Sequence, residues 1–156
     1  MNPKSGSLSD WKVSLIPSTD TYSLRQRVLR PNLTIDEVAM DHDDAPDSFH
    51  VGAVDEHERV IAIMTVMRDF VPETDRHAWR IRGMASDPDV RGSGCGGAVL
   101  RFGLEHAWDL NQELPVWCNA RRVAYGFYER YGFRFASDEF DIPGIGPHKV
   151  MIIDPA

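Results

Sequence analysis

Residues 91–98 read Arg-Gly-Ser-Gly-Cys-Gly-Gly-Ala, and glycine occupies four of the six positions from 92 to 97. Glycine has no side chain to hold a ligand at a distance, so the backbone N–H groups of such a loop can surround an anion. Apolar residues then recur at helical spacing to about Leu110, and a helix N-terminus carries a partial positive charge. The stretch therefore predicts a loop that binds a phosphate or a pyrophosphate. The alternative is a flexible turn before a helix, but such a turn needs only one or two glycines.

Two common phosphate-binding motifs fit this loop less well. Gly92, Gly94 and Gly97 satisfy the GxGxxG pattern of dinucleotide-binding proteins, which is a weak signal on its own. In those proteins the loop leaves its strand directly and an acidic residue ends the next strand. Here residues 87–91 intervene, and the next predicted strand ends at Cys118 without an acid. A nucleotide-binding P-loop needs Lys followed by Ser or Thr after the glycines, and that pair is absent there. A dinucleotide-binding protein is kept as an alternative that would require NADH binding.

Around the loop, the chain predicts a mixed α/β arrangement. Two apolar runs separated by a short polar segment predict a hairpin, and later apolar runs alternate with helical patterns. The predicted strands are 11–16, 49–54, 59–68, 77–86, 114–118 and 148–153, and the predicted helices are 20–30, 35–40, the stretch from the glycine loop to about 110, and 120–131.

The strand predicted at 77–86 alternates in a way that assigns its side chains to two faces. The arginines of this strand are expected to form a solvated or ion-paired face of the sheet. One face holds Trp79, Ile81, Gly83 and Ala85, and the other holds Arg80, Arg82, Met84 and Ser86.

Length and composition limit the class of protein. The chain has 156 residues, 42% hydrophobic and 26% charged, which is ordinary for one globular domain. We expect a flexible tail over residues 1–10 and a single domain over residues 11–156. The 17 basic and 24 acidic residues give a net charge of −7, the opposite of the balance in most nucleic-acid-binding proteins. No apolar run approaches a membrane span, and Cys95 and Cys118 lack the spacing of a structural metal site. These observations predict a cytoplasmic protein with no metal and with neither nucleic acid nor membrane as a partner.

Taken together, these residues resemble the GNAT family, the acyl-CoA-dependent N-acetyltransferases. The family signature is Gln or Arg, two residues, Gly, one residue and then Gly or Ala, and residues 91–96 fit it without a gap. The segment Phe-Tyr-Glu-Arg-Tyr-Gly-Phe at 127–133 is similar to the last helix and turn of the family. The order of predicted elements matches the family from Trp11 to Ile153. In its motifs and order of elements, the chain is similar to small bacterial members of the ElaA and YjcF type.

The resemblance implies the GNAT fold, a mixed and mostly antiparallel central sheet with flanking helices and a V-shaped gap between the fourth and fifth strands. It implies that acetyl-CoA lies in this gap and that a primary amine of a small molecule or peptide attacks the thioester directly. A backbone N–H near Met84 or Ala85 would polarise the thioester carbonyl. The residues that the resemblance assigns to acetyl-CoA are Met84, Ala85, Ser86, Arg91, Gly92, Ser93, Gly94, Cys95, Gly96, Gly97 and Asn119.

The resemblance implies a general acid and leaves the general base open. Tyr128 matches the family's acid, which protonates the leaving thiolate, and the alternative is a tyrosine packed in the core. Many members place a glutamate on the fourth strand as the base, but residues 77–86 contain no acid. His148 is a candidate base because histidine titrates near neutral pH and this one follows a loop rich in Gly and Pro. A purely structural histidine and a water relay are the alternatives.

Five further points have alternative interpretations. Asn119 either caps the helix predicted at 120–131 or bonds a pantetheine amide of CoA. Cys95 lies at a helix N-terminus, where a thiol pKa falls, but it is expected to be a small spacer and not a nucleophile. The acids of residues 36–47 either attract a cationic amine or form a solvated loop. The alternative to an acetyltransferase is a non-catalytic acyl-CoA-binding module. Dimers are common in the family, so a homodimer stays open.

Overall fold

One mixed sheet organises residues 11–156, the part of the chain that the computed structural model describes. Its strands are β1 (Trp11–Ile16), β2 (Phe49–Asp55), β3 (Val60–Arg68), β4 (Trp79–Ser86), β5 (Val116–Arg121), β6 (Arg134–Phe135), β7 (Phe140–Ile142) and β8 (Gly146–Ile153). Their order is β1-β2-β3-β4-β5-β8-β6, and β7 also pairs with β8. Every neighbouring pair is antiparallel except β4 and β5. The predicted mixed, mostly antiparallel sheet is confirmed, while the tail predicted at 1–10 lies outside the described residues.

A helical segment between β1 and β2 covers one face of the sheet. Leu24 packs there against Ile63 and Ala85 in a small core of its own. The segment corresponds to the helix predicted at 20–30, but it is irregular, and its last turn contains the buried Arg25. Its parts are the 3-10 turn Ser18–Thr21, the helix α1 (Tyr22–Leu24) and the π-helical turn Arg25–Leu29.

Two helices, α2 (Cys95–Leu110) and α3 (Tyr125–Arg130), cover the other face and enclose the main core. A Cβ at Gly103 of α2 would lie 1.8 Å from the Cε atom of Met64, so the Met64 side chain fills the space that a larger residue would take. Tyr128 of α3 belongs to the same core. No helix among residues 11–156 is long and apolar enough to cross a membrane.

The second half of the chain differs from the prediction in its element boundaries. β5 continues to Arg121, so the helix predicted at 120–131 begins only at Tyr125, after a 3-10 turn. The short strands β6 and β7 were not predicted, because two or three residues are too few to show alternation. A 3-10 turn, Asp36–Val38, stands where a helix is predicted at 35–40.

A β-bulge interrupts the pairing of β3 with β4. Ile63 pairs with Ala85. Thr65, two residues further along β3, pairs with Arg82, three residues back along β4, so two β4 residues lie opposite one β3 residue. Gly83 lies in this bulge with a φ of +60°, a conformation that glycine adopts without strain. The extra residue reverses the phase of side-chain alternation beyond it.

The bulge corrects the faces predicted for β4. Ala85 packs on the α1 face. Met84 and Ser86 point towards α2, since a Cβ at Gly96 would lie 3.9 Å from Met84 Cε and 3.0 Å from Ser86 Oγ. Arg82 precedes the extra residue and stays on the α1 face, where it lines a cavity with residues of that side. The prediction that Arg82, Met84 and Ser86 share one face is therefore wrong.

Candidate active site

β4 and β5 separate to form a cleft. They pair in parallel only over Trp79–Ile81 and Val116–Cys118, so the later part of β4 has no strand partner on its β5 side. The cleft between them has a volume of about 630 Å³ and is the predicted V-shaped gap. The predicted site residues that line it are Met84, Ala85, Ser86, Arg91, Gly96, Asn119, Tyr128 and His148.

The glycine loop beside this cleft presents backbone groups with few side chains. Gly92 and Gly94 have φ values of +85° and +90°, and a Cβ added to either would meet nothing within 4 Å. The hydrogen bonds of α2 begin with the Ala98 N–H, which donates to the Gly94 carbonyl oxygen. Within residues 11–156, the N–H groups of Gly94, Gly96 and Gly97 have no acceptor. They are available to an anion at the positive end of the α2 dipole.

Three residues of the loop also have structural roles. A Cβ at Gly97 would lie 1.7 Å from Tyr131 Oη, so Gly97 lets α2 pack against that ring. Ser93 Oγ accepts a hydrogen bond of 3.3 Å from the Cys95 N–H. Burial raises the pKa of the Cys95 thiol to about 11, so the thiol is protonated at neutral pH. This pKa supports the predicted role of Cys95 as a spacer and opposes a nucleophilic role.

Tyr128 packs in the main core and also reaches the cleft. Its side chain is 5% exposed and lies between the rings of Phe127 and Phe133, with both centroid distances 5.2 Å. Burial raises the pKa of the Tyr128 hydroxyl well above its ordinary value, and the neighbouring Cys118 side chain adds to this through its charge when ionised and through a hydrogen bond. The hydroxyl therefore stays protonated at neutral pH, which is the form that a proton donor requires. The two interpretations of Tyr128 are compatible, because one ring can serve both roles.

His148 lies on the β8 wall of the cleft. The ring is 3% exposed and lies over Phe140 with a centroid distance of 6.1 Å. Its Nδ1 is 2.7 Å from the Gly146 carbonyl oxygen, which can only accept a hydrogen bond. In the neutral ring Nδ1 therefore carries the proton, and Nε2 keeps the lone pair that a base needs. His148 and Tyr128 line the same cleft.

Asn119 lies inside β5 and pairs with Val150. The interpretation of Asn119 as a helix cap is wrong, because the strand continues past it and α3 begins after Ala124. Its place on the cleft wall is the one that the alternative requires. Within residues 11–156, no group of three or more His, Cys, Asp or Glu side chains could hold a metal ion.

A buried ion pair supports the α1 side of the cleft. Arg25 is 1% exposed and donates two hydrogen bonds of 2.8 Å to the Asp43 carboxylate. It also donates to the carbonyl oxygen of Val38 at 3.1 Å and to Thr65 Oγ1 at 2.8 Å. Burial alone would raise the pKa of Asp43, but hydrogen bonds from Arg25 and from the Met40 N–H hold it below its ordinary value. The Asp43 charge is thus paired with Arg25 inside the protein. Sequence reasoning missed this ion pair, because no local pattern links Arg25 to Asp43.

The other acids of residues 36–47 are exposed, and none of them lines the cleft. Met40 is the residue of that segment that reaches it. This arrangement agrees with a solvated loop and does not support capture of a cationic amine by these acids. Sequence reasoning also missed several other cleft residues, among them Arg30, Arg121, Ile142 and Ile145.

Comparison with known proteins identifies the family of this chain. Residues 46–135 match the sequence model of the family described as acetyltransferase (GNAT) domain. YitI of Bacillus subtilis (strain 168), an uncharacterized N-acetyltransferase, is 36% identical over 141 residues, which cover 90% of this chain and 93% of YitI. The two sequences are thus related over nearly their whole lengths.

Two solved structures illustrate the likeness of fold. The crystal structure of Escherichia coli ElaA superposes with a TM-score of 0.70 at 15% identity, covering 92% of this chain and 99% of ElaA. An aminoglycoside 6'-N-acetyltransferase complexed with coenzyme A has a TM-score of 0.70 at 12% identity, covering 91% of this chain and 96% of that one. The family match and the curated relative together show that this chain belongs to the GNAT family of N-acetyltransferases.

Proposed function

We propose that the protein transfers an acetyl group from acetyl-CoA to a primary amine of a small molecule or a peptide. One observation carries the proposal: a single cleft brings together the unpaired edge of β4, the start of α2, Tyr128 and His148. Each of these features has a separate task in such a reaction. The CoA complex of the aminoglycoside 6'-N-acetyltransferase, which shares the fold, supports the same donor.

The donor end of the cleft suits a CoA thioester. The free N–H groups of Gly94, Gly96 and Gly97 can bind a pyrophosphate. The edge of β4 around Met84 and Ser86 can pair with the amide groups of pantetheine, as an added strand would. Acetyl-CoA, when bound, supplies the acetyl group in an activated form. No carboxylate among residues 11–156 lines the cleft, so none repels the phosphates there.

The residues of this chain would then handle protons and charge. His148 Nε2 accepts the proton that an amine must lose before it can attack. A backbone N–H of β4 near Met84 or Ala85 donates to the oxygen on which negative charge develops. As the C–S bond breaks, the Tyr128 hydroxyl donates its proton to the leaving sulfur, and the second proton that the attacking nitrogen loses returns to the Tyr128 oxygen through solvent. Free tyrosine and free thiols have pKa values of ~10 and ~8.5. The raised pKa of Tyr128 makes its hydroxyl a weaker acid than free tyrosine, so it gives up the proton only as the C–S bond breaks and negative charge develops on the sulfur.

A thiol-release assay with acetyl-CoA tests this function across a panel of amines, polyamines and peptides. We expect release of free CoA that depends on the amine, and mass spectrometry should find the acetyl group on the amine nitrogen. Binding of acetyl-CoA without transfer to any member of the panel would instead identify a non-catalytic acyl-CoA-binding module.

A further inference from the structure

The charge of the cleft differs from the charge of the whole protein. The chain has a net charge of −7. Within residues 11–156, however, the cleft is lined by five arginines and by no aspartate or glutamate. A surface of one sign in a concave site concentrates ligands of the opposite sign. The five arginines are Arg30, Arg80, Arg82, Arg91 and Arg121.

Two of the five arginines have an identified task. Arg91 directly precedes the glycine loop and lies at the donor end. Arg80 forms an ion pair of 3.1 Å with Asp69 and lies over the Trp117 ring, 4.8 Å from its centroid. The remaining three, Arg30, Arg82 and Arg121, have no carboxylate within 4.0 Å among residues 11–156.

These three side chains are partly buried, which makes the missing partner significant. Arg121 donates one hydrogen bond of 3.4 Å to the Leu29 carbonyl oxygen. Burial, followed by the charge of Arg30, lowers the pKa of Arg121. Burial, followed by the charges of Arg80 and Arg25, lowers the pKa of Arg82, and the charges of Asp43 and Asp69 offset only part of this lowering. Cations that are partly removed from water and face other cations are unfavourable until an anion joins them.

The bulge separates this cluster from the donor loop. Arg82 lies on the α1 face of the sheet, together with Met40, whereas Ser86 beyond the bulge faces the start of α2. The adjoining cavity of about 260 Å³ is lined by Arg30, Arg82 and the acids Glu37 and Asp41. Among residues 11–156, neither acid is within 4.0 Å of a guanidinium. Glu37 accepts a hydrogen bond from the Thr34 N–H. An anion bound by the three arginines would therefore lie away from the glycine loop, at the end of the cleft where the acceptor amine would bind (the acceptor end).

We infer that the amine acceptor carries an anionic group, a carboxylate or a phosphate, which binds to Arg30, Arg82 and Arg121. The inference rests on the proposed acetyl transfer and narrows its substrate class. Guanidinium groups bind both anions through paired N–H donors. The arrangement also opposes polycationic acceptors, because a second ammonium group would face three arginines.

Matched pairs of amines test this inference in the thiol-release assay. β-Alanine is compared with β-alaninamide for the carboxylate, phosphoethanolamine with ethanolamine for the phosphate, and spermidine represents polycations. At equal concentrations of neutral amine, we expect the acidic member of at least one pair to have a kcat/KM at least ~10-fold higher. The pair with the larger ratio identifies the anion. Equal or better transfer to the neutral members or to spermidine would overturn the inference and leave acetyl transfer standing.

Variants assign the effect to the arginines. Arg82→Gln and, separately, Arg121→Gln should move the acidic-to-neutral ratio towards one. Arg59→Gln removes the same charge from an exposed hairpin and should keep the ratio. A ratio that neither cleft variant changes would overturn the inference.

Calorimetry with the CoA-loaded protein gives a readout without turnover. Acidic amines should bind, and Arg82→Gln should weaken that binding at least ~10-fold. If they bind in this way but no acetyl group is transferred, the proposed function fails and the anion site stands. If no acidic amine binds, the anion site is excluded.

Discussion

Under the proposed function, the two ends of the cleft would bind charge by different means. At the donor end, consecutive residues of one loop present backbone N–H groups, and glycine keeps side chains out of the way. At the acceptor end, the charge is on the side chains of three arginines. Arg30 follows the helical segment between β1 and β2, Arg82 precedes the β4 bulge, and Arg121 ends β5. The donor end thus depends on local sequence, whereas the acceptor end depends on how distant elements pack.

Under the proposed function, this difference would let the donor site be kept while the acceptor site changes. A backbone site requires only that glycine and the helix start are retained. A side-chain site can change its charge through single substitutions in separate elements. The acceptor end also needs internal support, which the Arg25–Asp43 pair provides beneath Gly83 and beside Met40.

The largest effect is expected where that support is removed. Asp43→Asn would leave the Arg25 charge buried without its partner, so we expect the free energy of unfolding to fall by ~3–5 kcal/mol in urea titrations. Asp44→Asn is the matched control, because Asp44 is exposed and, within residues 11–156, accepts a single hydrogen bond, of 3.2 Å from Ser18 Oγ. Equal losses in the two variants would show that the pair does not support the acceptor end.

The same pair predicts a direction for the pH dependence of stability. The pKa of Asp43 is below its ordinary value in the folded protein. Its contribution to stability is therefore complete above the unfolded pKa of ~3.9 and is lost as pH falls through the folded value. The difference in unfolding free energy between wild type and Asp43→Asn should therefore shrink as the pH falls below ~3.9.

His148→Ala tests whether His148 is the proposed general base. We expect kcat/KM to fall at least ~10²-fold and the acidic limb of the pH–rate profile to disappear. His77→Ala is the control, because His77 also contacts a ring, that of Phe70 at 4.9 Å, but lies outside the cleft. A well-folded His148→Ala protein with an unchanged profile would assign His148 a structural role only.

Tyr128→Phe tests the acid with a change that keeps the ring. We expect kcat to fall ~10²-fold while acetyl-CoA affinity changes little. Tyr125→Phe on the same helix also removes a hydroxyl, one that donates to Glu139 at 3.0 Å outside the cleft, and should keep the rate. Since the pKa of Tyr128 is raised well above its ordinary value, wild-type turnover should show no loss from tyrosine ionisation up to pH ~10. Turnover of Tyr128→Phe within about twofold of wild type would leave protonation to another acid or to water.

The sequence predicted the donor end better than the acceptor end for a physical reason. The glycine loop with its helix and the Tyr128 segment are each a continuous stretch of sequence, so local patterns reveal them. The bulge at Gly83 was not predictable from alternation, because one extra residue looks like an ordinary strand residue until its partner strand is known. Arg25 pairs with Asp43 across 18 residues, and Arg121 was assigned to a helix that in fact begins after it.

Binding of CoA is the most direct test of the central claim that backbone amides at the start of α2 and the edge of β4 form an acyl-CoA site. In calorimetry, wild-type protein should bind CoA and not NADH. Gly96→Val should weaken CoA binding at least ~10-fold, because its side chain would enter the space beside Ser86 and Met84. Gly126→Val, at an exposed helical glycine with nothing within 4 Å, should bind CoA as wild type does. Preference for NADH over CoA, or equal CoA affinity in the two valine variants, would show that these backbone groups do not form a CoA site.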